Sequence, residues 1–148
     1  MKKLVLLFCC ILLTACGARR VEDPFAGEFA CTVDCTLQGV EYTFSYAKEA
    51  DGERIAFLAP ASLCGLTAMR QDGTVTLAVD GLAFSALAGD RLFAFADCFT
   101  PRRYTTVSEG DGYRLTADGY TVYTDQDGAP LRLVGGRYDL QLSTFEGR

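Results

Sequence analysis

Cysteine and carboxylate are the side chains from which this 148-residue chain could build chemistry. It has seven cysteines, 19 acidic residues and no histidine. Without histidine there is no Ser–His or Cys–His nucleophile, no imidazole base and no histidine-ligated zinc or copper. The carboxylates have a simpler use. Asp51, Asp72, Asp80, Asp111, Asp118 and Asp127 each precede a glycine, which is the chemistry of tight turns. A calcium loop needs oxygen ligands at close alternating spacing. The stretch from Asp118 to Asp125, Gln126, Asp127 and Gly128 supplies only part of one. Lys48 is the single lysine beyond position 3, and nothing around it forms a nucleophile elbow. The two-residue spacing of zinc-binding cysteine pairs is absent. These residues predict no catalytic group, no metal and no cofactor. A hydrolase built on two carboxylates is the remotest reading.

One cysteine stands apart. Lys2 and Lys3 precede an apolar run over residues 4–13, and small residues lead from it to Cys16. This is the layout of an export signal. The run is about half the ~20 residues a spanning helix needs, and Arg19 and Arg20 follow closely. Leu13, Thr14, Ala15, Cys16 and Gly17 together resemble the lipobox of bacterial lipoproteins. That resemblance implies cleavage between Ala15 and Cys16 and a diacylglycerol thioether on Cys16. The chain would then be held at the extracytoplasmic face of the cell membrane or the outer membrane. Residues 1–15 would be removed, 16–25 would form the lipidated tether, and 26–148 would fold as one β-rich domain. A single acyl chain holds a protein only marginally, at roughly 0.8 kcal/mol per buried CH₂, so two or three chains on Cys16 are what durable attachment needs.

Charge agrees with a lipid anchor. Once Lys2 and Lys3 are removed, 12 basic residues face 19 acidic ones, a net charge near −7. Such a surface does not seek nucleic acid or anionic headgroups through bulk electrostatics. Arg102 and Arg103, after Pro101, are expected as a small basic spot on a solvated loop. Tryptophan is absent, which weakens a sugar-stacking role.

The elements that must position any site are strands. Phe29, Cys31, Val33, Cys35 and Leu37 share one face of a period-two segment, with Thr32, Asp34 and Thr36 on the other. The same alternation recurs at Tyr42, Phe44 and Tyr46, at Ile55, Phe57 and Ala59, and at Val75, Leu77 and Val79. It returns at Leu131 and Leu133, and at Tyr138, Leu140, Leu142 and Thr144. This pattern marks half-buried antiparallel strands. The six Asp-Gly pairs and Gly135-Gly136 supply hairpin turns, so a sequential meander is expected. Residues 82–99 break the rhythm, being mostly apolar on every side and interrupted by Gly89, Asp90 and Arg91. Asp90 could cap a short helix over 91–98, and a further buried hairpin is the alternative. The expected fold is mainly β, with one short helical segment near residues 90–98 covering the sheet.

Four cysteines remain beyond the anchor: Cys31, Cys35, Cys64 and Cys98. An even count outside the cytoplasm suggests two disulfides. On one extended strand Cys31 and Cys35 would lie about 13 Å apart, beyond the ~7 Å a disulfide allows. The pairings left are 31–64 with 35–98, or 31–98 with 35–64. One disulfide with two thiols, or four thiols packed as small apolar residues, are the alternatives. The aromatics Tyr42, Phe44, Tyr46, Phe57, Phe84, Phe93, Phe95 and Phe99 could line an apolar pocket, or could simply form the core.

Several local patterns together carry a second resemblance. One runs from Phe57 through Leu58, Ala59, Pro60, Ala61, Ser62 and Leu63 to Gly65, then Arg70 to Leu77. The other runs from Asp127 to Leu133, then Tyr138 to Leu142, Phe145 and Glu146. Over residues 27–146 the chain resembles LolA/LppX-like envelope lipoproteins. The resemblance implies a curved antiparallel half-barrel with a concave apolar face, lidded by helices. It also implies a non-enzymatic module that binds a lipid, a lipidated protein or another apolar ligand there. The chain is shorter than the usual carrier and its candidate lid is brief. The alternative is an accessory or structural lipoprotein that holds an envelope protein partner through its outer surface or a sheet edge.

Overall fold

A computed structural model describes residues 21–86 and 89–147. The signal segment, Ala15, Cys16 and the first part of the tether lie outside the described residues. Eleven strands form one antiparallel sheet: β1 (Phe29–Leu37), β2 (Val40–Glu49), β3 (Gly52–Ala59), β4 (Thr67–Gln71), β5 (Thr74–Val79), β6 (Leu82–Ser85), β7 (Thr105–Glu109), β8 (Gly112–Ala117), β9 (Tyr120–Thr124), β10 (Pro130–Gly135) and β11 (Tyr138–Gly147). Their order across the sheet is β6-β5-β4-β3-β2-β1-β11-β10-β9-β8-β7. The sheet is open, with β6 and β7 as its edges.

The expected single meander is therefore two. The chain starts at the centre with β1 and steps outward to β6. It then crosses to the far edge at β7 and steps back until β11 pairs with β1. The crossing is residues 86–104. No period-two pattern could reveal it, because alternation reports which face a residue takes and not which strand lies beside it.

The turns divide by chemistry. Asp72-Gly73, Asp80-Gly81 and Asp118-Gly119 have positive φ at both positions, as type I′ hairpin turns require. Gln38-Gly39 does the same between β1 and β2. Gly52 and Gly112 are needed for a different reason. Each opens a strand, and a Cβ there would run into the carbonyl oxygen of Arg70 or of Thr124 respectively. So these two Asp-Gly pairs mark close backbone approach rather than a left-handed turn.

The crossing segment differs from the helix expected over 91–98. Two 3₁₀ turns, Gly89–Phe93 and Ala96–Phe99, replace it, and no α-helix occurs among the described residues. A regular helix would turn one stripe of this segment to solvent. Breaking it at Ala94 and Phe95 lets Phe93, Phe95, Ala96, Cys98 and Phe99 all turn inward, and all five are buried. They pack on the inner residues of the sheet, including Phe29, Cys31, Val33, Phe44, Tyr46 and Ile55.

β11 carries a second difference. Its alternation is broken where the β1 pairing skips a residue between Ala30 and Thr32, and Thr144 takes φ +48°. The bulge shifts the phase. Thr144 turns out to share a 2.8 Å hydroxyl bond with Thr32, and Phe145 turns in against Phe25 and Phe29.

Candidate apolar cleft

The concave face is largely filled by the chain itself. Phe99 lies stacked on Tyr46 (centroids 5.0 Å) and edge-on to Phe25 at 5.1 Å. Phe95 meets Phe44 at 4.9 Å, and Phe44 meets Phe57 at 5.8 Å. Tyr46, Phe93 and Phe99 are core residues that do not line the opening between the sheet and residues 89–99. Phe84 is half exposed on edge strand β6. The eight aromatics singled out from sequence thus part company: Tyr42, Phe44, Phe57 and Phe95 come together at one opening, and the other four do not.

That opening is an apolar cleft of about 270 Å³ between the sheet and the crossing segment. It sits at the end of the half-barrel marked by the β1–β2 and β10–β11 turns, with Leu37 and Tyr138 at its walls. Leu63, from the 3₁₀ turn Ala61–Leu63, and Leu92 close its other side. Arg91 is the one charged residue among its walls, and it is exposed. Sequence reasoning missed Leu63, Leu92, Arg91 and Tyr138 as cleft residues. Each sits in a turn, at a strand end or in the crossing segment, where period-two patterning is silent.

The opposite end of the barrel is sealed by polar contacts. The Tyr46 hydroxyl donates to Glu53 at 2.6 Å, and Arg70 bonds the same carboxylate through Nε at 2.6 Å. Arg70 also lies over the Phe93 ring, 4.8 Å from its centroid. Burial, with the Glu53 hydrogen bond second, pushes the Tyr46 phenol up from its ordinary value. Glu53 is therefore occupied as a structural tie. Arg102 is likewise no solvated spot. Its guanidinium donates to the carbonyls of Asp97, Cys98 and Thr100 and covers the Tyr120 ring at 3.8 Å. Its backbone N–H donates to Asp23 at 2.8 Å. It clasps the end of the crossing segment to the second half of the sheet.

A polar hollow of about 320 Å³ lies on the outer face, with Asp34, Glu41 and Asp139 among its walls. Asp34 accepts from the Thr43 hydroxyl at 2.6 Å. Two hydrogen bonds from Arg132 hold Asp139 below the usual carboxylate range. Two of the three acids are thus engaged, and no metal-binding cluster of three occurs among the described residues.

Cys31, Cys35, Cys64 and Cys98 all carry free thiols, so the expected pair of disulfides is not present. Cys31 and Cys35 do face the concave side together. Cys64, though, ends the turn after β3 exposed, donating its thiol to the Leu58 carbonyl at 2.7 Å. Cys31 and Cys98 are sealed in the core, where they act as small apolar groups. Burial pushes the Cys31 thiol up to about 12 and the Cys98 thiol up to about 11. Cys35, half-buried at the cleft, is raised by burial and then by Asp34. A thiol reagent near pH 8 should therefore label Cys64 first and Cys35 slowly. Cys31 and Cys98 should react only on unfolding, because a thiol pushed above its ordinary value yields little thiolate. Fewer than four reactive thiols in the unfolded, unreduced domain would contradict this.

No family model and no curated protein matches the chain. Solved structures do. An uncharacterized conserved protein from Thermus thermophilus is similar at 19% identity with a TM-score of 0.53, over 86% of this chain and 83% of that one. The similarity shows a shared fold. A LolA superfamily protein from Nitrosomonas europaea is similar at 12% identity with a TM-score of 0.47, over 86% and 89% of the two chains.

Proposed function

We propose that this chain is an extracytoplasmic lipoprotein, anchored through Cys16, that binds one slender apolar chain with an anionic head, such as a fatty acid. The cleft between sheet and crossing segment carries the reading. Ligand pockets usually span about 300–1,000 Å³. At about 270 Å³, this one suits a single acyl chain and not a multi-chain lipid. Arg91 at the rim suits a carboxylate. A non-enzymatic role is the reading that the cleft supports: its walls are mostly apolar, with Arg91 as their one charge and Cys35, Tyr42 and Tyr138 as their other polar side chains.

Titrating the purified domain with fatty acids of increasing length tests this. Each added CH₂ that enters the cleft should contribute about 0.8 kcal/mol, roughly fourfold in affinity, until the cleft is full. Leu63→Trp should weaken binding at least tenfold by filling the space. Arg91→Ala should weaken acids while leaving the matching alcohols unchanged. Affinity independent of chain length would overturn the proposal.

A further inference from the structure

The arginines of this acidic chain divide by what they hold. Arg54, Arg70, Arg114 and Arg132 are paired with the carboxylates of Glu49, Glu53, Glu109 and Asp139 in turn. Arg102 commits its guanidinium to three backbone carbonyls. Arg103 borders a hollow that also holds Glu22 and Asp23. Among the described residues that leaves Arg91 and Arg137, and both sit at the mouth of the apolar cleft. Arg91 comes from the crossing segment, as one of the cleft walls. Arg137 comes from the β10–β11 turn. Its Nη2 donates to the Tyr138 hydroxyl at 3.1 Å, and its guanidinium carbon lies 5.2 Å from that ring's centroid. Tyr138 is itself a cleft wall, so this contact stations a second positive charge at the rim. Both arginines are exposed. Among the described residues no carboxylate lines the cleft. The acids beside them in sequence are engaged elsewhere. Asp90 borders a hollow with Lys48 and Arg70, and Asp139 accepts two hydrogen bonds from Arg132.

We propose that the head group taken at this mouth is a phosphate monoester on a single alkyl chain, held between Arg91 and Arg137. The inference rests on the cleft reading above and narrows it. One guanidinium satisfies a carboxylate, whose two oxygens match a single fork. Two guanidiniums arriving from separate elements match a head with more oxygens and more charge. A phosphate monoester offers three acceptor oxygens and carries about 1.5 to 2 negative charges near neutral pH. Arg137 places one of its N–H groups on Tyr138, and its remaining donors are left for the head. The Tyr138 hydroxyl accepts from Arg137 and keeps its own proton to donate to a phosphate oxygen.

Decyl phosphate, decyl sulfate and decanoate, titrated into the purified full-length chain at pH 8 and below their micellar concentrations, test this. The first two share a tetrahedral head and a chain length but differ in charge. Decyl phosphate should bind at least tenfold more tightly than either of the others. Arg137→Gln should weaken decyl phosphate at least fivefold and shift decanoate less than twofold, the second result showing that Tyr138 still walls the cleft. Arg103→Gln, at the other hollow, should change neither. Inorganic phosphate lacks the chain and should displace decyl phosphate only at more than a hundredfold excess. Decanoate binding with no advantage for the phosphate would overturn the inference and leave the cleft reading standing. So would a phosphate advantage that survives Arg137→Gln, or displacement by inorganic phosphate at equal concentration. Binding of none of the three probes would overturn both.

Discussion

Replacing Phe99 by alanine is expected to destabilise the fold by about 3–5 kcal/mol, the range for removing a buried phenylalanine. That is a large share of the ~5–15 kcal/mol by which domains of this size are stable. Phe99 is the ring on which the crossing segment turns. It touches Phe25, Phe29, Tyr46 and Phe95 with centroids 5.0–6.0 Å apart, and each such pair adds about 0.5–1.5 kcal/mol beyond area burial. Collapse into the space it leaves is limited on one side, because the stacked Tyr46 is tied through its hydroxyl to Glu53. The measurement is urea unfolding beside Leu131→Ala, a half-exposed control expected to move by about 0.5 kcal/mol or less. The outcome bears on function as well as stability. A loss under about 1 kcal/mol would mean that residues 86–104 do not grip the sheet. The concave face would then be an open basin and not a filled one with a small cleft.

How far such packing can be read from a sequence depends on the element. The first half of β1 was legible, because Phe29, Cys31 and Val33 are buried at alternate positions as the pattern requires, while Cys35 is half-buried and Leu37 at its end is exposed. β5 and the core of β2 were legible for the same reason. β4 was not. Its inner positions are Ala68 and Arg70, and an alanine with an ion-paired arginine leaves no hydrophobic alternation to see. β7 is an exposed, polar edge and carries no pattern either. The Gln38-Gly39 turn escaped notice because glutamine seldom takes the positive φ that asparagine and aspartate tolerate.

The cleft shows the same division. Tyr42, Phe44 and Phe57 could be placed on one face by counting twos. Their meeting with Leu63, Leu92 and Arg91 depends on where two irregular segments fold back, and nothing local encodes that. The cysteines were misread for a related reason. An even count implies pairing only if the side chains converge, and Cys64 is turned to the Leu58 carbonyl at the surface.

Replacing Cys16 by serine is expected to have the largest effect on the intact protein, moving it from the membrane fraction to the soluble one. Among the described residues no helix is long and apolar enough to cross a membrane. The part from residue 16 onward is acidic, so an anionic bilayer repels it. The exposed large hydrophobics, Leu37, Val40, Leu58, Met69, Leu82, Phe84, Val107 and Leu131, are spread over seven strands and form no amphipathic helix that could insert. Under the proposed anchor, attachment falls to acyl chains on one sulfur. At roughly 0.8 kcal/mol per buried CH₂, two chains of ordinary length exceed the ~5.5 kcal/mol that turns a 99:1 distribution into 1:99. A serine hydroxyl is a far weaker nucleophile than a thiolate, so the variant carries no thioether and loses that whole term at once. Labelled palmitate should appear on the parent chain and not on Cys16→Ser. A variant that still sediments with membranes and still carries label would show that the anchor lies elsewhere.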